Sequence, residues 1–397
     1  MAKIVVGLSG GVDSSVAAYL LKQEGHEVTG IFMINWHDTT GTLEGDCPWN
    51  DDLIFAELVA RKLDIPFLTI DFSNEYRKRV VDYMFDEYQA GRTPNPDVLC
   101  NREVKFDLFI DKAMEMGADL VATGHHCRKE ILKKRDLTVY RLLAGHDPGK
   151  DQSYFLCQLN QQQLSRVLFP IGHLQKKKLR EIASEQGLAT ANRRDSQGIC
   201  FVGKVDLPTF LQQKLSVRKG DIIEIDKAAK LNYPEKPGFG VPYSEENLEA
   251  FTRAFTFNAN HGRNIGRHQG AHFYTIGQRK GLNVGGKAEP LFVLATDISA
   301  NIVYTGQGHD HPGLNRYGLF IPAKNIHWLR EDLKMSTGEQ RLYLVRIRYR
   351  QPLQEACLYM KQKGLYILFR NAQRGITPGQ FAAWYDKHEL LGSGIIH

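Results

Sequence analysis

Several features that this 397-residue sequence lacks exclude whole classes of protein. No apolar run approaches the roughly 18 residues that a membrane-spanning helix needs, which excludes an integral membrane protein. The six cysteines are too few for a disulfide scaffold, and none form a Cys-x-x-Cys pair, which argues against structural zinc. Met1-Ala2-Lys3 leads directly into an apolar strand without the features of a signal peptide, so we expect a cytoplasmic protein.

The composition is that of an ordinary soluble globular protein, with 42% hydrophobic and 24% charged residues. At ~100–200 residues per domain, the length favours about two to four domains. The 51 basic against 45 acidic residues give a net charge of +6, which tolerates a polyanionic partner but does not demand one.

The first half of the chain alternates short apolar strands with amphipathic helices. Strands are predicted over residues 4–8, 28–33, 67–70 and 120–123, and helices over 16–22, 54–62, 77–88 and 106–116. This alternation predicts an α/β domain with a doubly wound parallel sheet over residues 1–204, whose ligands bind at the carboxyl ends of the strands.

The pattern changes near residue 205, where helical periodicity weakens and glycine and proline become frequent. We expect a small mixed middle domain over 205–287, with an insertion near 227–263. Residues 288–397 read as strands and predict a C-terminal β-barrel. The strands expected in it are 292–296, 301–306, 342–350, 356–361, 365–369 and 381–385.

The string SGGVDSS at residues 9–15 follows the first strand and opens the first helix. Adjacent glycines let the backbone approach a phosphate, helix N-terminal amides point at it, and the serines add hydroxyl donors. The lysine of a Walker motif is missing. The alternative is a tight turn capped by Asp13 or Ser14. The loop resembles that of the PP-loop ATP pyrophosphatases, of the adenine nucleotide α-hydrolase-like fold, which implies ATP, cleavage to AMP and pyrophosphate, and Mg²⁺ near Asp13.

Two cysteines stand in unusual surroundings. Cys100 comes three residues after Asp97, behind a proline-containing loop, and Cys200 follows a glycine close to Arg193 and Arg194, which we expect to lower its thiol pKa. The remaining cysteines are interpreted as small buried apolar residues; they are Cys47, Cys127, Cys157 and Cys357.

An ordered set of motifs covering nearly the whole chain resembles the tRNA-specific 2-thiouridylase family. The motifs are GLSGGVDSS at 7–15, GIFM at 30–33, GRTPNPDVLCN at 91–101, ATGHH at 122–126, KDQSYFL at 150–156, DSQGICFVG at 195–203, YTIGQRKGL at 274–282, RYRQ at 348–351 and TPGQ at 377–380. The resemblance implies 2-thiolation of the tRNA wobble uridine, in which a Cys200 persulfide delivers sulfur, Cys100 resolves it and Asp97 lies beside the base.

The resemblance also assigns binding residues and partners. Those implied for ATP are Gly7, Leu8, Ser9, Gly10, Gly11, Val12, Asp13, Ser14, Met33 and Gly124. Those implied for tRNA are Asn95, Pro96, Asp97, His125, Lys150, Asp151, Gln152, Arg348, Tyr349 and Gln380. The implied partners are tRNAs of the Lys, Glu and Gln type and a persulfide donor such as a cysteine desulfurase or a sulfur-relay protein. No protein metal ligands are implied.

Period-two alternation places Arg346, Arg348 and Arg350 on one face of a strand and Val345 and Ile347 on the other. This basic stripe favours contact with an RNA backbone. The alternative is a solvated edge strand that its charges protect from aggregation.

The chain departs from the family pattern in its long 227–263 segment, in His126 where tyrosine is common, and in Cys127 after it. Two other functions stay open. One is a different adenylating PP-loop enzyme, such as a tRNA lysidine synthetase or an amidotransferase-type synthetase, which needs no cysteine pair. The other is a noncatalytic RNA-binding or sulfur-relay protein that retains the fold.

Overall fold

The computed structural model describes residues 1–38, 49–134, 137–194, 200, 206–229, 231 and 233–397. Its N-terminal part contains a parallel sheet in the order β3-β2-β1-β4-β7. The strands are β1 Lys3–Gly7, β2 Glu27–Ile34, β3 Phe67–Asp71, β4 Leu120–Ala122 and β7 Val167–Leu168. Strand order and direction confirm the expected parallel sheet.

Helices cover both faces of this sheet because its strand residues alternate in direction. Val5 joins one hydrophobic cluster and its neighbours Ile4 and Val6 join another on the opposite face. The helices are α1 Val12–Gln23, α2 Asn50–Leu63, α3 Ser73–Tyr76, α4 Asp82–Gln89, α5 Pro96–Cys100, α6 Phe109–Glu115, α7 Gln161–Arg166 and α8 Lys176–Glu185. Wider π-helical turns, Arg77–Val81 and Asn101–Leu108, connect α3 to α4 and α5 to α6.

The middle sheet has the order β10-β11-β8-β9 and follows the short helix α9, Leu207–Leu211. Its strands are β8 Gly220–Ile225, β9 Gly262–His268, β10 Leu291–Asp297 and β11 Ile302–Gln307. The prediction that the strands at 292–296 and 301–306 belong to the C-terminal barrel is wrong. Instead, β11 pairs with β8, which lies about 80 residues earlier in the sequence. Such long-range pairing cannot be deduced from local pattern.

The C-terminal strands form one antiparallel sheet, which also includes a hairpin from the N-terminal part. The hairpin strands are β5 Cys127–Lys134 and β6 Leu137–Ala144, and the others are β12 Asn315–Pro322, β13 Ile326–Trp328, β14 Gln340–Arg346, β15 Gln354–Met360, β16 Gly364–Arg374, β17 Phe381–Asp386 and β18 Glu389–Ile395. Because β6 pairs with β18, backbone hydrogen bonds join the N-terminal hairpin to the C-terminal sheet.

Residues 239–252 of the long 227–263 segment pack against the C-terminal sheet. Its helix α10, Glu245–Thr252, buries Leu248 in a cluster with Tyr359 and Tyr366. The Tyr359 hydroxyl donates to the Val241 carbonyl at 2.8 Å. The segment therefore covers part of the C-terminal sheet and contributes to its core.

Candidate functional site

The glycine-rich loop connects β1 to α1 in a conformation that requires glycine. Gly10 has φ +71°, and a Cβ on it would lie 2.2 Å from the Asp52 carbonyl oxygen. Gly11 is the N-cap of α1 and makes no side-chain capping bond; the hydroxyl of Ser14 instead accepts a hydrogen bond from the Ser9 N–H at 3.1 Å. The first-turn amides of α1 lack intrahelical acceptors, so they form an anion cradle.

Gly124 forms the facing wall of this cradle. It follows β4, and a Cβ on it would lie 2.6 Å from the Ser14 nitrogen. Met33 lies deeper: its Cε would be 3.4 Å from a Cβ on Gly7, and its side chain belongs to the core. Glycine at position 124 therefore keeps the end of α1 accessible, whereas the implied ATP contact of Met33 stays a prediction.

Asp13 is held between two cationic or titratable side chains. Lys176 Nζ lies 2.7 and 2.8 Å from its carboxylate oxygens, and His126 Nε2 lies 3.3 Å away. Burial raises the pKa of Asp13, but His126 and Lys176 outweigh that effect and lower it below its ordinary value. Nothing in the local sequence singles out Lys176, which opens α8 within a run of lysines and places a cation beside Asp13 at the start of α1.

Asp97 and Tyr76 hold the backbone of Cys200. The Cys200 N–H donates to the Asp97 carboxylate at 3.0 Å, and the Tyr76 hydroxyl donates to the Cys200 carbonyl at 2.7 Å. Cys100 ends α5, which Asn95 caps by accepting from the Val98 N–H at 3.2 Å. The two cysteines carry free thiols that hydrogen-bond to each other. The structure thus brings the two sequence-selected cysteines together.

Electrostatics make the two thiols unequal. A hydrogen bond from Cys100 and the adjacent Lys105 ammonium outweigh burial and lower the pKa of Cys200 to about 7. Burial, and then the neighbouring Cys200, raise the pKa of Cys100 well above its ordinary value. Burial also raises the pKa of Asp97. Cys200 is therefore the more acidic thiol of the pair, and Cys100 is its hydrogen-bond donor.

Lys105, like Lys176, is a residue that the sequence patterns did not predict. Burial alone would lower its pKa, but Cys200 and Cys100 hold that pKa above its ordinary value, so the side chain stays cationic. The pKa of Cys200 is lowered as predicted, but Cys100 and Lys105 lower it and the predicted Arg193 and Arg194 do not. Arg193 pairs with Asp52 at 2.8 Å and donates to the Gly10 carbonyl, so it braces the glycine-rich loop. The only sequence signal for Lys105 was its position one helical turn beyond Cys100.

The remaining cysteines fit their interpretation as apolar residues. Cys127, Cys157 and Cys357 are at most 1% exposed, and burial raises the pKa of each. Cys127 lies in the core, so this departure from the family pattern leaves the surface unchanged. Cys47 and most of the 195–203 motif lie outside the described residues.

Gln380 connects the C-terminal sheet to the loop that precedes Cys100. It accepts from Asn95 Nδ2 at 3.2 Å and donates to the carbonyls of Thr93 and Pro94 at 3.2 and 3.1 Å. Pro96 occupies the first turn of α5, where its missing N–H costs nothing. Residues far apart in sequence therefore fix this loop beside the cysteines.

Residues 125 and 150–152 belong to the set that the family resemblance implies for tRNA binding. His125 Nδ1 lies 2.8 Å from Thr123 Oγ1, and burial lowers the pKa of His125 well below its ordinary value. Gln152 accepts from the His126 N–H at 2.9 Å. Asp151 is buried and accepts from Arg346 at 2.7 Å, and Lys150 next to it is half-buried.

The expected stripe of three arginines is wrong, because β14 ends at Arg346. Arg346 is buried against Asp151 and is held over the Tyr385 ring. Arg348 is exposed and donates to the Arg374 carbonyl at 3.1 Å, while Arg350 has φ +63°. These arginines therefore share no strand face.

Tyr349 still offers a flat surface next to Arg348. Its ring centroid lies 4.3 Å from that of Phe155, and the Arg350 guanidinium lies 5.2 Å from the Tyr349 ring centroid. Aromatic rings beside arginines suit stacking against an unpaired base.

In the described ranges, no cluster of three or more His, Cys, Asp or Glu side chains could hold a metal ion. Over the same residues, no helix has the length and apolarity to cross a membrane.

Three family models match successive parts of the chain. A tRNA methyl transferase HUP domain matches residues 2–204, a tRNA methyl transferase PRC-barrel domain matches 252–307, and an aminomethyltransferase beta-barrel domain matches 320–396. The first and third confirm the expected α/β and C-terminal β-barrel folds, and the second ends where β11 ends.

Curated relatives match this chain over its whole length, whereas a solved structure matches about half of it. A 4-thiouridine synthetase in complex with RNA and bound ATP covers 53% of this chain and 50% of its own, with 16% identity and a TM-score of 0.33, too weak to carry an argument. The tRNA-specific 2-thiouridylases MnmA of Christiangramia forsetii and Flavobacterium johnsoniae are 56% and 55% identical over 100% of both chains. That of Streptococcus pyogenes serotype M2 is 43% identical over 99% of this chain and 95% of its own. The chain belongs to the tRNA-specific 2-thiouridylase family.

Proposed function

We propose that this protein is a tRNA-uridine 2-sulfurtransferase that uses ATP to replace O2 of the wobble uridine by sulfur. Its membership of the 2-thiouridylase family supports the enzyme class. The observation that carries the proposal is the Cys100–Cys200 thiol pair beside Asp97 and Lys105. The alternative adenylating enzymes, a tRNA lysidine synthetase or an amidotransferase-type synthetase, need no such cysteine pair.

The first step activates the uracil. O2 attacks the α-phosphorus of ATP, the O2–P bond forms, and the bond to pyrophosphate breaks. Half-buried Asp97, whose pKa burial raises, accepts the N3 proton and so increases the nucleophilicity of O2. The first-turn amides of α1 and the Lys176 ammonium stabilise the charge that builds on the leaving pyrophosphate.

The glycine cradle fits the phosphates of ATP, because a Cβ on Gly124 would lie 2.6 Å from the Ser14 nitrogen and obstruct the start of α1. The implied Mg²⁺ would arrive with the nucleotide, since Mg²⁺ binds substrate phosphates with only one or two carboxylates. Asp13 is the carboxylate at this position, and it is already paired with Lys176. Mg²⁺ would neutralise phosphate charge there.

The second step transfers sulfur. The terminal sulfur of a Cys200 persulfide attacks C2 of the activated uridine, and AMP leaves with the former O2. Cys100 then attacks Cys200 Sγ and gives up its thiol proton. The bond between Sγ and the transferred sulfur breaks, and 2-thiouridine departs with that electron pair and takes up the proton at N3. A Cys100–Cys200 disulfide remains, which an external dithiol reduces. A persulfide donor, such as a cysteine desulfurase or a sulfur-relay protein, recharges Cys200.

Lys105 serves both halves of the sulfur step. Its ammonium lies beside Cys200 and near Cys100 and Asp97, so it stabilises negative charge on whichever sulfur carries it. The hydrogen bonds that Asp97 and Tyr76 make with the Cys200 backbone keep the Cys200 sulfur close to Cys100.

For tRNA, we propose direct contacts from the exposed and half-exposed members of the implied set and supporting roles for its buried members. The proposed contacts are Asn95, Pro96, Asp97, Lys150, Gln152, Arg348, Tyr349 and Gln380. His125 and Asp151 are buried and position their neighbours. The substrates would be the tRNAs of the Lys, Glu and Gln type, and the need for ATP and reduced thiols points to the cytoplasm.

Reconstitution tests this function. Purified protein, ATP, unmodified tRNA and a persulfide donor should yield 2-thiouridine at the wobble position, detected by nucleoside mass spectrometry, with AMP and pyrophosphate in equal amounts. Cys157→Ser, a matched change at a buried cysteine, should retain activity. Pyrophosphate release without thiolation would indicate another adenylating enzyme, and no ATP cleavage with any tRNA would indicate a noncatalytic protein.

A further inference from the structure

A cavity of about 170 Å³ lies where the N-terminal, middle and C-terminal parts meet. Its walls include Gly91, Thr93, Tyr274, Thr296, Arg316 and Thr377. The proposed reaction uses none of these side chains.

Arg316 is buried in this wall with an incomplete set of partners. It is 7% exposed and lies on β12 next to a β-bulge. One guanidinium nitrogen donates to the Thr252 carbonyl, but Nε is buried without a hydrogen-bond partner. Burial lowers the pKa of Arg316 to about 10, and no described acidic group opposes that effect. A buried guanidinium without an anion is costly, so this position calls for a counter-ion.

A second donor lies beside a residue of the wall. The Tyr233 hydroxyl is buried without a partner among the described residues, and a Cβ on the wall residue Gly313 would lie 3.2 Å from it. Buried polar groups are normally satisfied, so the unused Arg316 donor in the wall points to an acceptor that binds in the cavity, and the Tyr233 hydroxyl adds a polar group next to it.

We propose that this cavity binds a small free oxyanion of the phosphate class. The guanidinium presents parallel N–H donors that match phosphate geometry. At 170 Å³ the cavity is smaller than the ~300 Å³ at which drug-sized ligand sites begin. It has room for about six waters at ~30 Å³ each, which suits a single oxyanion better than a nucleotide.

Binding would connect the barrel to the loop that carries the sulfur site. Gly91 and Thr93 lie in the wall and lead directly to Asn95 and Asp97. An anion held by Arg316 would therefore stabilise the packing of this loop. This inference does not depend on the proposed thiolation.

The Arg316 Nε–H resonance tests the site directly, because the glycine-rich loop will bind phosphate as well and would confuse a bulk titration. The resonance is assigned in labelled full-length protein by its loss in Arg316→Lys, which has no Nε. Inorganic phosphate should shift it saturably, whereas chloride at equal ionic strength should not. A resonance that responds equally to both salts, or that moves only when tRNA is added, would overturn the proposal, the second result indicating an RNA phosphate instead.

Thermal unfolding supplies a second measurement with a matched control. Phosphate should raise the Tm of the wild type and of Arg370→Met by the same amount, since Arg370 is exposed and pairs with Glu355. It should raise the Tm of Arg316→Met less. Equal increases in all three proteins would contradict the proposal, and if Arg316→Met does not fold, the wild-type resonance decides alone.

Discussion

The carboxylate of Asp97 accepts a hydrogen bond from the Cys200 backbone N–H at 3.0 Å, across about 100 residues of sequence. One side chain thus connects the loop that would contact the uracil to the residue that would carry sulfur. Asp97→Asn should keep tRNA binding but lower adenylation, since an amide cannot accept the N3 proton. We expect a loss of about 10²-fold in pyrophosphate release, measured with saturating tRNA. An unchanged rate would remove Asp97 from the activation step.

Lys105→Met should raise the pKa of Cys200, because a cation beside a thiol favours the thiolate. Alkylation of Cys200 by iodoacetamide should rise with pH through about 7 in the wild type and about one unit higher in the variant. Lys105→Arg should restore the profile. The exposed Lys112→Met is the control, and superimposable profiles for Lys105→Met and wild type would refute the role of Lys105.

Lys176→Met should impair ATP cleavage and spare the thiols. It removes the cation that pairs with Asp13 at the start of α1, so we expect pyrophosphate release to fall by about 10²-fold. The alkylation profile of Cys200 should not change, because Lys176 does not contribute to its pKa. A parallel loss of both properties would indicate a folding defect instead.

Gly124→Ala should abolish ATP binding. The added Cβ would lie 2.6 Å from the Ser14 nitrogen, and we expect overpacking to cost about 1–3 kcal/mol of unfolding free energy. Gly285→Ala is the matched control, because a Cβ there meets nothing within 4 Å. Unaltered ATP affinity, measured by calorimetry, would show that nucleotide binds away from this wall.

Arg348 and Arg346 should respond in opposite ways to substitution. Arg348→Ala should weaken tRNA binding, reduce the slope of log affinity against log salt by about one and leave stability nearly unchanged. Arg346→Ala should cost about 3–5 kcal/mol in unfolding free energy, because it strands the buried Asp151 carboxylate. Equal effects of both variants on the salt slope would indicate that both arginines contact the RNA backbone, which would contradict this account.

Local pattern predicted the parallel sheet, the glycine-rich loop and both cysteines, because each depends on residues adjacent in sequence. It could not place Lys105 or Lys176, because their partners Cys200 and Asp13 lie far from them in sequence. It also missed the end of β14 at Arg346, since alternation continues in the sequence after the strand itself stops. Local pattern could not predict the extent of the middle sheet either, because β8 pairs with the distant strand β11.

The central claim is that Cys200 delivers sulfur and Cys100 resolves it, and peptide mapping after a single turnover tests this most directly. Enzyme charged with one persulfide and reacted with ATP and tRNA without reductant should stop after about one cycle and contain a Cys100–Cys200 disulfide. Dithiothreitol should restore turnover. Thiolated tRNA together with Cys100 and Cys200 both free, or with either bridged to Cys127, would contradict the account.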